Sequence, residues 1–102
     1  MRTITISEAR RFSLDKVQST DLLKTEKLHV QVLCFEAGQK GEEVRANGEY
    51  LYQVLEGEAL VYQSSERLRL GKGKLLNMSE NTSHRLENAG GGLLVVMATH
   101  AL

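Results

Sequence analysis

Residues 50–62 read Tyr50-Leu51-Tyr52-Gln53-Val54-Leu55-Glu56-Gly57-Glu58-Ala59-Leu60-Val61-Tyr62. Two apolar, β-forming runs are split by Glu56-Gly57. Glycine tolerates positive φ, so the pair predicts a tight turn between two antiparallel strands. Outward from this hairpin the same grammar repeats. Leu28–Phe35 alternates and is rich in β-branched residues, Arg67–Leu70 alternates cleanly, and Leu93–Ala98 is solidly apolar. Asn47-Gly48, Gly71-Lys72-Gly73-Lys74 and Gly90-Gly91-Gly92 stand between these segments as turns. Short period-2 strands with regularly spaced turns predict an all-β sandwich or barrel. A double-sheet or closed form is expected, because open edges of this hydrophobicity invite aggregation. The only helical candidate is one capped turn around Ser19–Lys24.

The chain has 102 residues, which suits one domain. Residues 1–27 are expected to form a strand or arm packed on a barrel of residues 28–102. Thirteen basic residues balance thirteen acidic ones, so the formal net charge is zero. Phosphate binding normally requires a basic excess, and no nucleic-acid partner is expected. No stretch approaches the roughly 18 apolar residues of a membrane helix, so no membrane partner is expected either. The start, MRTITISEARRF, lacks an apolar run of signal-peptide length, and Cys34 is the only cysteine. Together these predict a cytoplasmic location. Cys34 has no base beside it in sequence and reads as a buried structural thiol. The glycines fit no phosphate-binding loop.

Two segments resemble the paired signature motifs of the cupin superfamily. Gly38 and Gly57 bracket the first, inside AGQKGEEVRANGEYLYQVLEGEA. The second is GKLLNMSENTSHRLEN, where Gly73, His84 and Asn88 fall at matching positions. Ser79 replaces that motif's proline and Asn81 its glycine, a mild change because asparagine is the best non-glycine residue in a left-handed turn. The resemblance spans roughly residues 28 to 98. It implies a cupin-type double-stranded β-helix, a jelly-roll barrel related to the RmlC-like proteins, with a pocket between two antiparallel sheets. It also implies a homodimer.

In typical cupins the two histidines and the glutamate of the first motif join the histidine of the second around a divalent metal. Here Val44 and Ala46 stand at the two histidine positions and Tyr50 at the glutamate position, leaving His84 alone. Valine and alanine offer no lone pairs, and catalytic metal sites usually have about three protein ligands. No metal or other cofactor is expected at the usual place. Glu49 is one residue out of phase with the pocket. Glu42 and Glu43 precede the strand, where they would fold over the barrel mouth. The remaining route to a metal is a rearranged site of His84, His29 and one carboxylate. His29 is on a strand of unassigned facing, and His100 is expected to be exposed.

The candidate ligand pocket is His84, Tyr50, Tyr52, Val44 and Ala46, with Met78 and Met97 as core or lining. His84 is also the candidate catalytic group. Three readings follow. The first is a metal-free binding module for a small organic ligand, with phenols and an imidazole on an apolar floor. The second is an enzyme: isomerase- or epimerase-like, with His84 as base and a tyrosine as acid, or an oxygenase on a non-standard metal site. The third is a structural or interaction protein with a vestigial pocket. The binding reading needs a real cavity, and the interaction reading needs a barrel filled by side chains.

Overall fold

The computed structural model describes residues 1–45 and 47–102. Among the described residues there are eight strands: β1 (Gln18–Lys24), β2 (Leu28–Phe35), β3 (Tyr50–Glu56), β4 (Glu58–Gln63), β5 (Glu66–Gly71), β6 (Leu75–Met78), β7 (Arg85–Glu87) and β8 (Leu94–Ala101). One sheet has the order β1-β2-β8-β3-β6 and the other β5-β4-β7, with every pairing antiparallel. The stretch after β2 extends the smaller sheet. Val44 pairs reciprocally with His84, and Gly41 donates to the Leu86 carbonyl. The larger sheet therefore ends at β1 and β6, the smaller at β5 and residues 38–44. Among the described residues no helix is long and apolar enough to cross a membrane.

The hairpin of residues 50–62 forms where the sequence predicts it. Gly57 turns the chain at φ +82°, and a Cβ there would sit 2.3 Å from the Leu93 carbonyl oxygen. Asn81 also adopts the left-handed conformation expected of it, at φ +59°. The segment Ser19–Lys24 is corrected: it is strand, not a helical turn, because pairing with β2 satisfies its backbone. The short helix lies earlier, as a 3-10 turn over Ile6–Ala9.

Alternation sends each strand's residues to two different cores. Phe35, Tyr52, Val54, Val61, Leu86, Leu94 and Val96 fill the space between the sheets. Val32, Cys34 and Val95 point the other way, onto the outer face of the larger sheet. There Ala9 and Phe12 of the N-terminal arm cover them. Burying side chains of this kind contributes about 1.5–3 kcal/mol each. A bulge between Val54 and Glu56 sets Glu56 opposite Val95, on that outer face, where its carboxylate accepts from Arg10 of the arm. Burial pushes the Cys34 thiol up from its ordinary pKa.

Asn88, the last residue of the second motif, is a fastener. Its side-chain nitrogen lies within 3.3 Å of the carbonyl oxygens of Phe35, Glu36 and Gly92, and its oxygen accepts from the Gly90 backbone. It thus joins the end of β2 to the turn before β8.

Candidate functional site

Where β1 and residues 38–44 face each other, the two sheets do not meet. A cavity of about 620 Å³ opens there. One side is Lys16, Val17, Gln18 and Ser19; the other is Lys40, Gly41, Glu42 and Val44. Its inner wall is Gln31, Leu33 and Phe35 of β2, with Tyr52 and Leu86 behind. The walls are chiefly apolar and the mouth is charged.

Tyr52, only 1 % exposed, ties this cavity to the interior. Its hydroxyl lies 2.6 Å from Nε2 of His84, which is itself 3 % exposed. Nδ1 of His84 is 2.8 Å from the Thr82 carbonyl oxygen. A carbonyl only accepts, so Nδ1 carries the ring proton. In that tautomer Nε2 accepts, and Tyr52 donates to it. Burial, with a smaller contribution from Tyr50, pushes the Tyr52 phenol far above its ordinary pKa.

Tyr50 stacks with two partners. The Tyr52 ring is 5.3 Å away and nearly parallel, and the His100 ring is 4.3 Å away and also parallel. His84 meets both tyrosines edge-on, at 5.7 and 5.4 Å. Such edge-to-face and offset pairs are favourable beyond their buried area. The phenol of Tyr50 is also raised in pKa by burial.

Of the residues assigned to the pocket from sequence, Tyr52 and Val44 line the cavity. His84 and Tyr50 stand beside Tyr52, ring to ring, and Ala46 lies outside the described residues. Met78 belongs to the inner core. Glu49 accepts from Asn77, which lies opposite the outward-facing Leu51. His100 is corrected: it is part-buried against Tyr50, and its Nε2 lies 2.6 Å from the Asn47 carbonyl. His29 faces the same interior, opposite His100, and donates from Nε2 to Asp21 Oδ1 at 2.7 Å. Gln31 donates to the same oxygen. These bonds hold the Asp21 carboxyl below its usual pKa. The contributions of Lys16, Ser19, Gln31, Phe35 and Lys40 to the cavity were missed. Nothing in the sequence says that β1 and residues 38–44 are the two edges that face each other.

No protein-family model and no curated protein matches the sequence. Solved structures do. A conserved protein with a double-stranded β-helix domain from Klebsiella pneumoniae superposes with a TM-score of 0.91 at 22 % identity, covering 99 % of this chain and 90 % of that one. A cupin superfamily protein from Desulfitobacterium hafniense gives 0.85 at 19 %, covering 99 % and 91 %. An RmlC-like cupin protein from Desulfovibrio desulfuricans gives 0.81 at 22 %, covering 96 % and 95 %. This chain has the cupin fold. At these identities the likeness is one of architecture, and a cupin fold by itself names no reaction.

A cupin fold raises the question of a metal, and the donors here do not fit one. His84 has both ring nitrogens engaged within the protein. Its neighbours at the metal-ligand positions are Val44 and Tyr50. Among the described residues no group of three or more His, Cys, Asp or Glu side chains could hold an ion. Among the described residues the rearranged set of His84, His29 and a carboxylate is not assembled: His29 meets the Asp21 carboxylate, but His84 does not join them.

Proposed function

We propose that this protein is a small-molecule binding module that uses the inter-sheet cavity without a metal. The observation that carries the reading is the cavity itself. At about 620 Å³ it falls inside the range of small-ligand sites, about 300–1,000 Å³. Apolar walls from Leu33, Phe35 and Leu86 supply the contact area, and a few polar groups supply orientation. A protein serving only as a structural partner has no need of an unfilled interior.

A catalytic reading has one observation in its favour, the short contact of Tyr52 with His84. For such a pair to move protons, His84 must release one hydrogen bond as it takes up another. Its ring is sealed behind the phenol, so Tyr52 is the only one of the two that lines the cavity.

The test is a fragment titration followed by amide chemical shifts. Binding is expected to move Ser19, Gln31, Leu33, Gly41 and Tyr52 together. A cavity-filling Leu33→Trp variant is expected to abolish those shifts while retaining the native dispersion of the spectrum. Shifts scattered over the outer faces, or unchanged by the filled cavity, would remove the proposal.

A further inference from the structure

The two sides of the cavity are fixed to the sandwich unequally. Residues 38–44 are anchored along their length. Gly38 donates to the Asn88 carbonyl, Asn88 to that of Gln39 and Gly41 to that of Leu86, and Val44 pairs with His84. The other side joins the larger sheet at Gln18, opposite Cys34. Ahead of Gln18, residues 14–17 are irregular and make no backbone–backbone hydrogen bond among the described residues. Their fastenings are local. Asp15 donates to the Ser13 hydroxyl, and the Gln18 amide reaches the Lys16 carbonyl at 3.5 Å. Leu14 is 86 % exposed, while Val17 rests on the inner core. One side chain crosses between the two sides. Gln39 accepts from the Glu36 N–H at 2.9 Å and donates to the Ser13 carbonyl at 2.7 Å. An N–H only donates and a carbonyl only accepts, so these partners fix which end of the Gln39 amide is which. Among the described residues no other hydrogen bond or ion pair joins residues 13–19 to residues 36–44.

We infer that residues 14–17 are a movable strap at the cavity margin, and that Gln39 is the clasp that sets how wide the cavity opens. Segments with few backbone hydrogen bonds and few buried contacts open locally while the rest of a fold stays closed. The strap is held at its ends, by Phe12 on the outer face and by Gln18 in β1. Lys16 and Val17 line the cavity, so displacement between those ends changes its width. Breaking the bond from Gln39 to Ser13 frees the strap from the anchored side and leaves the pairing of β1 with β2 intact. Gln39 does not line the cavity and acts through the strap, which makes it a positioning residue. The inference rests on the binding reading for its purpose: the clasp regulates the size of molecule admitted. A small guest enters with the clasp closed, and a bulky one requires it to open.

The aperture can be measured without a ligand. Leu33→Cys, in a Cys34→Ala background, places a thiol on the cavity wall. It is labelled with methyl methanethiosulfonate and with the benzyl analogue, which share a reactive group and differ in bulk. Gln39→Glu keeps an acceptor for Glu36 but sets a carboxylate oxygen against the Ser13 carbonyl. It is expected to speed the benzyl reagent by about tenfold, the weight of one hydrogen bond, and to leave the methyl reagent nearly unchanged. Gln39→Ala, which removes both contacts, is expected to do the same. A second thiol, Leu70→Cys in the same background, is buried in the smaller sheet and reports opening of the whole fold. Unchanged size discrimination in both Gln39 variants overturns the clasp. Equal acceleration at Leu33→Cys and Leu70→Cys also overturns it, because the variants would then be loosening the entire sandwich. Either result leaves the binding reading to its own fragment titration. If the fragments fail to bind while the benzyl reagent still speeds up, the binding reading falls and the clasp stands as a property of the fold.

Discussion

Tyr52 and His84 complete each other's valences in a place water does not reach. Tyr52→Phe keeps the ring and deletes only the donor, which leaves Nε2 buried and unpaired. We expect it to lower unfolding free energy by about 1–3 kcal/mol, read from urea midpoints at neutral pH. Because folding raises the Tyr52 pKa, the unfolded chain releases that proton first. The stabilisation is therefore complete below the ordinary phenol pKa, about 10, and is lost progressively above it, as pH climbs toward the raised folded-state value. Urea midpoints followed from pH 8 to 11 should fall at the alkaline end, and less steeply in Tyr52→Phe. A midpoint that stays flat would contradict the burial of this proton. The spacing of the second motif was enough to single out His84, and β alternation was enough to put Tyr50 and Tyr52 on one face. The tautomer was not legible. It depends on the Thr82 carbonyl, a backbone group whose direction no side-chain pattern encodes.

The N-terminal arm is the element that hides Cys34. Arg10 reaches Glu56, and Ala9 and Phe12 lie over Val32, Cys34 and Val95. Deleting residues 1–12 should expose the thiol without opening the inner core. Alkylation of Cys34 is then expected to accelerate by about tenfold or more, since accessibility and the thiolate fraction rise together. An unchanged rate would mean that the arm is not the cover. At the β3–β4 turn, Gly57→Ala meets both a left-handed backbone and the Leu93 carbonyl. We expect a loss of about 2–4 kcal/mol in a denaturant titration. Both strands of that hairpin were plain from the sequence because their apolar residues alternate. Strand β1 was not. Gln18, Ser19, Thr20 and Asp21 present polar side chains to both faces, so no period marks them, and only pairing with β2 makes them a strand. The bulge before Glu56 was equally silent, because it is set by how β3 meets β8.

At the scale of the whole molecule, neighbours in space are distant in sequence. β2 lies against β8, and β4 against β7. Such topologies fold slowly, in milliseconds to seconds, because long loops must close before contacts form. The chain contains no proline, so the slow isomerisation phase of tens of seconds has no source. Refolding from a long-equilibrated and from a briefly unfolded sample should therefore give the same kinetics in a double-jump experiment. A slow phase that grows with unfolding time would show another source of heterogeneity. The fold class could be read from the motif glycines, whereas the cavity's location could not. It arises from which sheet edges fail to meet, and that is a property of the assembled sandwich.

Asn88 and Gly57 secure the frame from positions that take no part in lining the cavity, while the cavity mouth is built from two sheet margins. The frame and the cavity rim thus draw on different residues. Under the proposed binding reading, substitutions of the exposed side chains at Lys16, Ser19, Lys40 and Glu42 would change what the cavity accepts while leaving those two fasteners untouched. The architecture is a fixed hinge with exchangeable lips, suited to divergence by changes at the rim.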